Sequence, residues 1–423
     1  MLDNANFDHI SIVGLGYIGL PTAALFAARG HRVTGVDVNP AVVETVNAGK
    51  IHIVEPELDG IVRKAVGDGM LHATTQPEAA DVFVIAVPTP IEADNQPNID
   101  YVRSAAELVA PHLAPGTLVI LESTSPVGTT RKMAGWMAAS RPDLSFPQDA
   151  GEEADVMIAY CPERVLPGKA VHELVENDRI IGGMSTKAAA RASAFYGLVV
   201  RGSCIQTNAE TAEMTKLVEN SSRDVQIAFA NELSLICDRL GIDVFELIAL
   251  ANRHPRVNIL QPGPGVGGHC IAVDPWFIIA AAPEEAQLIR RARDINDGKP
   301  VWAVEKVKAA MTDVLARAPD RALRDLNVGC FGLAFKPNID DLRESPSVEI
   351  VRDIAGLGCR VLAVEPHICE LPEDLAAAGV TLTGAGAALE QADVVCVLVK
   401  HTAFQSVRDQ VLASPHLVNL IGL

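Results

Sequence analysis

A cysteine near the end of a glycine-rich segment could act as a covalent nucleophile. Residues 263–274 contain four glycines, then Cys270, and then an acid, Asp274, four positions later. Glycines in such number allow the backbone to approach a ligand closely. If a helix begins at Ile271, its N-terminal partial charge favours the Cys270 thiolate, and Asp274 lies one turn away. The other seven cysteines have no comparable sequence around them, so we expect small buried side chains there.

A thiolate beside a nicotinamide has a specific use. It adds to an aldehyde to give a thiohemiacetal, which can lose a second hydride and become a thioester that water cleaves to an acid. Such chemistry needs a base for the first alcohol, a cation or amide for the oxyanion, and a group that activates water. The sequence should therefore contain a dinucleotide site and these three groups.

Lys216 and Asn220 could supply the cation and the amide. They are four residues apart in a stretch whose apolar residues have helical spacing, so they project from one face and could hold an oxyanion or a water molecule together. The alternative is that Lys216 pairs with Glu213 or Glu219 on a solvated face. The spacing alone leaves both interpretations open.

Glu163 follows an apolar stretch, residues 156–160, that we predict to be a strand. A carboxylate at a strand end can serve as a general base, and Arg164 beside it could hold the loop or a phosphate. The alternative is that Glu163 belongs to an ordinary ion pair. Glu163 is thus a candidate for acid–base work.

Residues 14–19, GLGYIG, predict a dinucleotide site because they follow a predicted strand, residues 9–13, and open a helix. Gly14 permits the tight turn, Gly16 lets the backbone approach the pyrophosphate, and Gly19 allows close packing of helix on strand. Tyr17 and Ile18 lie at the start of that helix, whose N–H groups and partial positive charge face the phosphates.

Asp37 ends the second predicted strand about twenty residues past the glycines, where a carboxylate can accept hydrogen bonds from a ribose diol. A negative charge there repels a 2′-phosphate, so we expect NAD rather than NADP. Thr89, Ser123 and Thr124 follow later strands, at the sheet edge where open α/β folds bind ligands. The alternative is that these hydroxyls only cap the following helices.

The composition excludes several classes of protein. A formal net charge of −18 argues against nucleic-acid binding, which needs basic patches. No apolar run approaches the roughly 20 residues that span a bilayer, and the first nine residues lack the basic start of a secretory signal. The cysteines have neither CxxC nor zinc-finger spacing, so we expect a reduced cytoplasmic protein with no structural metal.

The order of predicted elements indicates an α/β protein in which two Rossmann-like, doubly wound domains are joined by a long central helix and a small helical domain. Predicted strands alternate with helices in two series, at residues 9–13, 32–38, 81–87 and 117–121, and at residues 326–332, 359–364, 393–399 and 416–421. Residues 211–240 contain no Pro or Gly and predict one long helix. We place the domains at residues 1–208, 209–315 and 316–423.

These segments together resemble the UDP-glucose/GDP-mannose dehydrogenase family over nearly the entire chain. The motifs that carry the resemblance are in the family's order and read GLGYIGLP, VPTP, ESTSPVGTT, CPERVLPG, TAEMTKLVEN, GVGGHCIAVDPW and FGLAFKPNIDDLRESPS. The resemblance implies a four-electron oxidation of the C6 hydroxyl of a UDP-linked sugar to a carboxylate, with two NAD per sugar, for cell-surface polysaccharide synthesis.

Within the family, three segments are most similar to enzymes that act on UDP-N-acetyl-D-mannosamine. They are IHIVEPEL, CPERVLPG and ANRHPRVNILQPGPGVGGHCIAVDPWF. The GGHC spelling is shared with enzymes for UDP-N-acetyl-D-glucosamine, which are the alternative.

The resemblance also implies roles for individual residues. Cys270 is the nucleophile, Lys216 and Asn220 stabilise the oxyanion and position water, and Asp274 helps proton transfer. Glu163 acts in thioester hydrolysis, with Thr124 close to the reacting carbon. The NAD contacts are Gly14, Gly16, Tyr17, Ile18, Gly19, Asp37, Thr89, Thr124 and Arg343. The UDP-sugar contacts are Glu163, Arg164, Val165, Leu166, Lys216, Asn220, Arg253, Arg256, Asn258, Leu260, Gly267 and Lys336.

Three further expectations concern the chain's partners and its C-terminal part. The resemblance implies a homodimer, with tetramers possible, in which the long helix is the dimer element and either Arg253 or Arg256 enters the neighbouring subunit's substrate site. Lys336 and Arg343 put positive charge where a diphosphate would lie, although on spacing alone Arg343 pairs with Asp340 or Glu344. The chain stops at Leu423 without a polar tail, so we expect the last strand or its cap to be incomplete.

Two other functions fit parts of the sequence. A two-electron dehydrogenase of the 6-phosphogluconate or hydroxyacid type has a similar first domain but needs no cysteine and only one NAD per turnover. A non-catalytic protein that binds nucleotide sugars would need none of the five candidate catalytic residues Cys270, Lys216, Asn220, Asp274 and Glu163. Counting the NADH formed per sugar distinguishes the first of these from the family function.

Overall fold

The computed structural model describes residues 7–55, 57–165 and 168–423. The chain divides into two compact units, of which the first comprises Met1–Glu219 with Trp276–Ala282 and the second Asn220–Pro275 with Pro283–Leu423.

The strands are β1 (His9–Val13), β2 (Arg32–Val36), β3 (Leu71–Thr74), β4 (Val82–Ile85), β5 (Leu118–Leu121), β6 (Met157–Tyr160), β7 (Arg179–Gly183), β8 (Cys204–Asn208), β9 (Asn327–Phe331), β10 (Arg360–Val364), β11 (Thr381–Leu382), β12 (Val394–Val397) and β13 (Leu417–Asn419). The α-helices are α1 (Gly19–Ala28), α2 (Pro40–Asn47), α3 (Leu58–Gly67), α4 (Asp100–Val109), α5 (Thr129–Ser140), α6 (Pro147–Ala150), α7 (Ala170–Glu176), α8 (Thr186–Tyr196), α9 (Ala209–Leu240), α10 (Val244–Ala251), α11 (Asp274–Ala281), α12 (Gln287–Arg317), α13 (Pro346–Gly356), α14 (Glu373–Ala377), α15 (Ala385–Gln391) and α16 (Arg408–Leu412).

The sheet of the first unit has the order β3-β2-β1-β4-β5-β6-β7-β8. Neighbouring strands are parallel except β6 and β7, which are antiparallel, so the last two strands run against the other six. The order 3-2-1-4-5-6 at one end is that of the dinucleotide-binding fold. The predicted α/β fold class is therefore confirmed, with three strands, β3, β7 and β8, that the sequence did not indicate.

The alternation of side chains along each strand explains why this sheet is buried on both faces. In β4, Val82 and Val84 join one hydrophobic core, while Phe83 and Ile85 join the other. Successive strand residues point to opposite faces, so an uninterrupted apolar strand needs helices on both sides. Such strands end at one edge of the sheet, where the loops with the candidate site residues begin.

The second unit contains a parallel five-stranded sheet of order β11-β10-β9-β12-β13. Its strand order repeats that of the first five strands of the other sheet, and one apolar core covers it. The last strand, which we expected to be incomplete, pairs over Leu417–Asn419 with β12. Leu420, Ile421 and Leu423 after it are buried, and the expectation of an incomplete strand stays a prediction.

Helix α9 starts two residues before the predicted residue 211 and ends where predicted. Asn208 Oδ1 accepts a hydrogen bond of 2.7 Å from the Thr211 N–H, which satisfies one N–H of the first turn. At the other end Gly241 has φ +71°, and the Ile242 N–H donates to the Cys237 carbonyl at 2.9 Å, a C-terminal cap that stops the helix. Among the described helices, none is both long enough and apolar enough to cross a bilayer.

Candidate active site

The glycine-rich turn after β1 has the geometry that the sequence predicted. Gly14 has φ +94°, a conformation that L residues rarely adopt, and its N–H donates to Val36 O at 2.8 Å. Asp37 accepts from the Leu15 N–H at 3.0 Å and from the Asn39 N–H at 2.9 Å. The Asp37 carboxylate thus holds the turn directly, a role the sequence analysis did not assign, and its position at the end of β2 is as predicted.

This turn fits a dinucleotide. A Cβ on Gly19 would lie 1.8 Å from Gly14 O, so only glycine permits this packing of helix on turn. A Cβ on Gly16 would meet no protein atom within 4 Å, so the open side of this residue is available to a ligand. Helix α1 begins at Gly19 rather than at Tyr17, which leaves Tyr17 and Ile18 in the turn itself.

Alanine at these two glycines is expected to have opposite effects. Gly19→Ala should destabilise the fold by about 1–3 kcal/mol because backbone atoms must move. Gly16→Ala should leave the melting temperature nearly unchanged but raise the KM for NAD about tenfold or more, because its methyl group occupies the approach of the pyrophosphate. Thermal denaturation and initial rates at varied NAD check both. An unchanged KM in Gly16→Ala would show that the pyrophosphate does not approach this residue.

The hydroxyl-bearing loops after β4 and β5 are bonded to each other. Thr89 Oγ1 donates to Thr124 O at 2.5 Å, and Ser123 Oγ donates to Val87 O at 2.6 Å. The alternative that Ser123 caps a helix is therefore wrong, because its hydroxyl joins two loops. Thr89 and Thr124 are partly exposed at the sheet edge, where their roles toward NAD and the sugar remain predictions.

Lys216 and Glu163 form a nearly buried ion pair. Lys216 Nζ lies 3.4 Å from Glu163 Oε1, and the side chains are only 7% and 12% exposed. Glu163 Oε2 accepts from the Val165 N–H at 2.8 Å. Two of the residues predicted to take part in catalysis are thus in contact, although each was proposed from a different motif.

The alternative partners of Lys216 bond elsewhere. Glu213 accepts from the N–H groups of Gly128, at 2.6 Å, and Thr130, at 2.7 Å, at the first turn of α5. Glu219 pairs with Arg164 at 2.7 Å. Burial raises the pKa of Glu213, and its hydrogen bonds with Thr130 and Gly128 oppose that rise. A solvated pair of Lys216 with either acid is therefore wrong as a description of this helix face.

The loop after β6 is held at both ends by side chains. Arg164 bonds Glu219, as above, and donates to Asp178 O at 3.2 Å. Glu55, which is buried, accepts from the Gly168 N–H at 2.8 Å and the Ala170 N–H at 2.6 Å. The predicted contact residue Leu166 lies outside the described residues. Glu55 was missed, because nothing in its sequence distinguishes a buried acid from a surface one.

Cys270 is exposed, as a nucleophile must be. Helix α11 begins at Asp274 rather than at Ile271, so the predicted position of the thiol at a helix N-terminus is wrong. Turns connect the two residues, and the Asp274 N–H donates to Cys270 O at 2.9 Å, which places them one turn apart as expected. The buried Asp274 carboxylate accepts from Asn220 Nδ2 at 2.5 Å. Two further candidate catalytic residues are thus in contact.

The other cysteines differ from Cys270 as predicted in four cases. Cys161, Cys237, Cys330 and Cys396 are buried. Burial raises the pKa of the Cys161 and Cys396 thiols to about 12, and that of Cys330 rises as well. Cys204 and Cys359 are partly buried, whereas Cys369 is exposed, so exposure alone does not single out Cys270.

The glycines before Cys270 approach the chain itself closely. A Cβ on Gly267 would lie 2.3 Å from Glu344 O, and one on Gly268 would lie 3.1 Å from the Phe335 ring. We predicted that a ligand would approach these glycines closely, but in the structure the segment after β9 does so. At the start of the loop, the Gly263 N–H donates to Asn231 Oδ1 at 2.9 Å.

Asn231 belongs to a buried polar network between α9 and α12 that the sequence analysis missed. Its Nδ2 donates to Asn296 Oδ1 at 2.8 Å, and Asn296 Nδ2 donates to Asp224 Oδ1 at 2.8 Å. Arg293, 2% exposed, pairs with the same Asp224 oxygen at 2.7 Å. Hydrogen bonds between buried polar groups stabilise one another, and this network holds the first glycine of the cysteine loop.

The predicted UDP-sugar residues after α10 lie in one loop. Arg253, Arg256 and Asn258 are exposed, and Leu260 is partly buried. Asn252 closes this loop, because its Nδ2 donates to Ile259 O at 2.9 Å and its Oδ1 accepts from the Ile259 N–H at 2.7 Å. The loop therefore presents two arginines on a backbone fixed at its ends.

Lys336 and Arg343 lie in the segment after β9. Lys336 is partly buried, with Nζ 5.6 Å from the centroid of the Phe335 ring. Arg343 pairs through two nitrogens with Asp341, at 2.9 and 2.7 Å, an acid that the spacing did not suggest. That pair holds the pKa of Asp341 below its usual range.

Comparison with known proteins extends over the whole chain. The UDP-glucose/GDP-mannose dehydrogenase family matches by its NAD binding domain at residues 8–200, its central domain at residues 210–298 and its UDP binding domain at residues 329–420. A UDP-N-acetyl-D-mannosamine dehydrogenase of Yersinia pestis is 59% identical over 419 residues, 99% of each chain. An NDP-N-acetyl-D-galactosaminuronic acid dehydrogenase of Ralstonia nicotianae is 57% identical over 420 residues, 99% of this chain and 96% of that one.

A solved structure agrees with these matches. The UDP-D-ManNAc dehydrogenase of Pyrococcus horikoshii is 37% identical, with a TM-score of 0.84 over 98% of this chain and 95% of that chain. The dinucleotide turn, the exposed cysteine and the three matched domains occur in one chain in the order that the motifs predicted. The chain therefore belongs to the NAD-dependent UDP-glucose/GDP-mannose dehydrogenase family.

Proposed function

We propose that this enzyme oxidises the C6 hydroxyl of UDP-N-acetyl-D-mannosamine to the carboxylate of UDP-N-acetyl-D-mannosaminuronate, with Cys270 as the covalent nucleophile. The observation that carries this proposal is the exposed Cys270 thiol, one turn before a buried Asp274 that is bonded to Asn220. The full-length identity of 59% to a UDP-N-acetyl-D-mannosamine dehydrogenase supports the sugar. The product would serve cell-surface polysaccharide synthesis.

The chemistry balances with one thiol and one water molecule. The C6 alcohol loses a proton and a hydride and becomes an aldehyde. The Cys270 thiolate adds to the aldehyde carbon, and the thiohemiacetal loses a second hydride to become a thioester. Water attacks the thioester carbon, the C–S bond breaks, and the carboxylate and the Cys270 thiol are released. When bound, NAD supplies the acceptor of each hydride, so two NADH form per sugar.

The contacts of the neighbouring polar residues support their proposed roles. Lys216 offers donors to a developing oxyanion, and its nearly buried position makes that charge effective. Asn220 would position water, and Asp274, bonded to it, would take part in proton transfer. Glu163 would activate the water that cleaves the thioester, with Thr124 near the reacting carbon.

Two groups of residues would hold the ligands. We propose that NAD contacts Gly14, Gly16, Tyr17, Ile18, Gly19, Asp37, Thr89, Thr124 and Arg343. We propose that the UDP-sugar contacts Glu163, Arg164, Val165, Leu166, Lys216, Asn220, Arg253, Arg256, Asn258, Leu260, Gly267 and Lys336. The open side of Gly16 and the two exposed arginines support these assignments most directly.

We also propose a homodimer formed by α9, with tetramers possible. Met214, Val218, Phe229, Ile236 and Leu240 are 37–64% exposed, although they are large apolar residues. At 3.6 residues per turn they lie within about 80° of one another around the helix axis. A contiguous exposed apolar stripe marks an interaction surface, and a second copy of the same stripe would cover it.

In that dimer, Arg253 or Arg256 would reach the substrate site of the partner subunit. Their exposure at the tip of a loop closed by Asn252 supports this assignment. The proposed domains are residues 1–208 for NAD, 209–315 for dimerisation and 316–423 for the UDP-sugar. A catalytic thiol must stay reduced, as thiols do in the cytosol, so we place the enzyme in the cytoplasm.

The ratio of NADH to uronate tests the proposal. With limiting UDP-N-acetyl-D-mannosamine and excess NAD, two NADH should form for each sugar consumed, because both oxidations occur on one enzyme. Absorbance at completion and chromatography of the sugar product measure both quantities. One NADH per sugar, with an aldehyde or ketone as product, would indicate a two-electron dehydrogenase and overturn the proposal.

The same assay with other UDP-sugars tests the substrate. UDP-N-acetyl-D-glucosamine is the alternative from the sequence, and the Ralstonia relative, 57% identical, makes the galacto sugar a necessary comparison. We expect kcat/KM for the manno sugar to exceed both others by about tenfold or more, as one pocket contact allows. A higher value for either other sugar would change the substrate but not the mechanism.

A further inference from the structure

A buried carboxylate and a buried histidine lie beside the loop that contains Lys336. Glu365 follows β10, His401 follows β12, and both side chains are fully buried. His401 Nε2 and Glu365 Oε2 are 3.0 Å apart. Neither residue belongs to the catalytic steps proposed above, so their contacts need another explanation.

The hydrogen bonds define the protonation of this pair. The Asn338 N–H lies 2.9 Å from His401 Nδ1, and a backbone N–H can only donate, so Nδ1 accepts and has no proton. The ring proton is therefore on Nε2 and is donated to an ionised Glu365. Burial by itself raises the pKa of Glu365, but the contacts with His401 and with the N–H groups of Leu333 and Ala334 together hold it below its usual range.

The same pair is bonded to both ends of the Lys336 loop. Glu365 Oε2 accepts from the N–H groups of Leu333, at 2.7 Å, and Ala334, at 3.1 Å, just before the loop. Asn338, two residues past Lys336, has φ +62°, a left-handed conformation that asparagine tolerates better than most residues. The His401 bond to its N–H stabilises that conformation.

Asn338 is held a second time by the residue after His401. Asn338 Oδ1 accepts from the Thr402 N–H at 2.8 Å, and Asn338 Nδ2 donates to Thr402 Oγ1 at 3.0 Å. On the other side of Lys336, the Phe335 ring lies against Gly268 of the cysteine loop. A shift of the Lys336 loop would therefore also displace Gly268, which lies two residues before Cys270.

We propose that Glu365 and His401 are positioning residues that fix the Lys336 loop for binding of the UDP diphosphate. This inference rests on the proposed function, because it needs Lys336 to contact the UDP-sugar. The match of residues 329–420 to a UDP binding domain supports that requirement. Asp37 occupies the corresponding strand end in the first unit and is partly exposed, whereas Glu365 is buried and fully used in internal bonds.

A metal site is the competing explanation for this cluster. Glu365, His367 and His401 have ligand atoms within 4.8 Å of one another. However, His401 Nδ1 accepts from Asn338, its Nε2 bonds Glu365, and Glu365 Oε2 accepts two backbone N–H groups. A cation would have to replace these bonds, so hydrogen bonding explains the cluster better than ligation does.

Two substitutions at His401 distinguish the contributions of its two hydrogen bonds, one with Glu365 and one with the Asn338 N–H, to UDP binding. His401→Gln places a donor near Glu365 but leaves the Asn338 N–H without its acceptor. His401→Asn places an acceptor near Asn338 but leaves Glu365 without its side-chain donor. We expect the Kd for UDP to rise about tenfold in His401→Gln, the cost of one buried hydrogen bond, and to change less than threefold in His401→Asn. The exposed neighbour His367→Gln is the matched control and should bind UDP like the wild type.

Calorimetric titration of the full-length protein with UDP, with and without EDTA or Zn²⁺, measures these effects. Equal UDP affinity of both His401 variants and the wild type would overturn the positioning role, as would UDP affinity that depends on Zn²⁺. If both variants lose UDP binding while thermal denaturation shows them folded, the positioning role is supported and belongs to the Glu365 bond as well as to the Asn338 bond. Wild-type protein that binds UDP and yields two NADH per sugar keeps the proposed function in either case, whereas failure of the wild type to bind UDP would refute that function itself.

Discussion

Replacing Cys270 by serine should reduce the steady-state rate of uronate formation by about 10⁴-fold or more, the size of effect seen when an enzyme loses its covalent nucleophile. A serine hydroxyl is seldom ionised near neutral pH and is a weaker nucleophile than a thiolate, so neither the adduct nor the second oxidation proceeds. The change replaces one exposed atom. UDP-sugar binding and thermal stability should therefore stay close to those of the wild type.

Cys369→Ser is the matched control for this prediction. Cys369 is the other exposed cysteine, so its thiol meets solvent and reagents as Cys270 does. It has no glycine-rich segment before it, although Glu373 follows it by four residues as Asp274 follows Cys270, and its substitution should leave kcat unchanged. Stopped assays with product chromatography would show whether any sugar turns over in Cys270→Ser. Wild-type activity in that variant would remove the covalent mechanism.

The sequence predicted the parts of the fold whose residues have a strong local pattern. The apolar run of β1 and the glycines that follow it are enough to locate the dinucleotide turn. The apolar runs of β4 and β5 are enough to locate those two strands. Helix α9 could be predicted because no Gly or Pro interrupts it before Gly241. In each case the decisive residues are close together in the chain, so no tertiary contact has to be known.

Other elements could not be predicted, because their residues carry misleading patterns. Strand β8 reads CIQTN and is largely exposed, so it lacks the apolar character of a central strand. Helix α12 continues through Pro300, which removes one backbone hydrogen bond and favours a helix end. Buried neighbours on that helix, among them Arg293 and Lys299, pack it in place. Tertiary packing outweighs local preference at both sites.

The sequence predicted which residues belong to the site better than it predicted which of them contact one another. The spacing of Lys216 suggested Glu213 or Glu219 as partners, yet Glu163, 53 residues earlier, is the acid it meets. Glu213 is instead used at the N-terminus of α5, because buried backbone N–H groups there need an acceptor. A contact between distant segments leaves no local signal, so a sequence can nominate catalytic groups without showing which of them touch.

The same reasoning identifies a buried ion pair in the first unit whose loss should be costly. Glu122 is fully buried, and Arg179, 5% exposed, lies 3.2 Å from it. The Tyr196 hydroxyl donates to the same carboxylate oxygen at 3.2 Å. Burial raises the pKa of Glu122, and the charge of Arg179 is the largest influence that opposes this rise. Without the guanidinium, an unpaired charge stays in an apolar core.

We therefore expect Arg179→Met to lower the free energy of unfolding by about 3–5 kcal/mol, which lowers Tm by about 6–10 °C. This loss of unfolding free energy should be larger at pH 8 than at pH 5. Without Arg179 the pKa of Glu122 in the folded protein lies even further above its value in the unfolded protein. The loss therefore disappears only at a pH where Glu122 is protonated in both the folded and the unfolded protein. The double variant Arg179→Met with Glu122→Gln should recover part of the loss, since removing both charges is far less costly than removing one.

Arg131→Ala, which breaks the exposed pair with Glu210, should cost less than about 1 kcal/mol. Calorimetry at the two pH values measures all four proteins, and equal Tm values for Arg179→Met and Arg131→Ala would show that the buried pair contributes no more than a surface one.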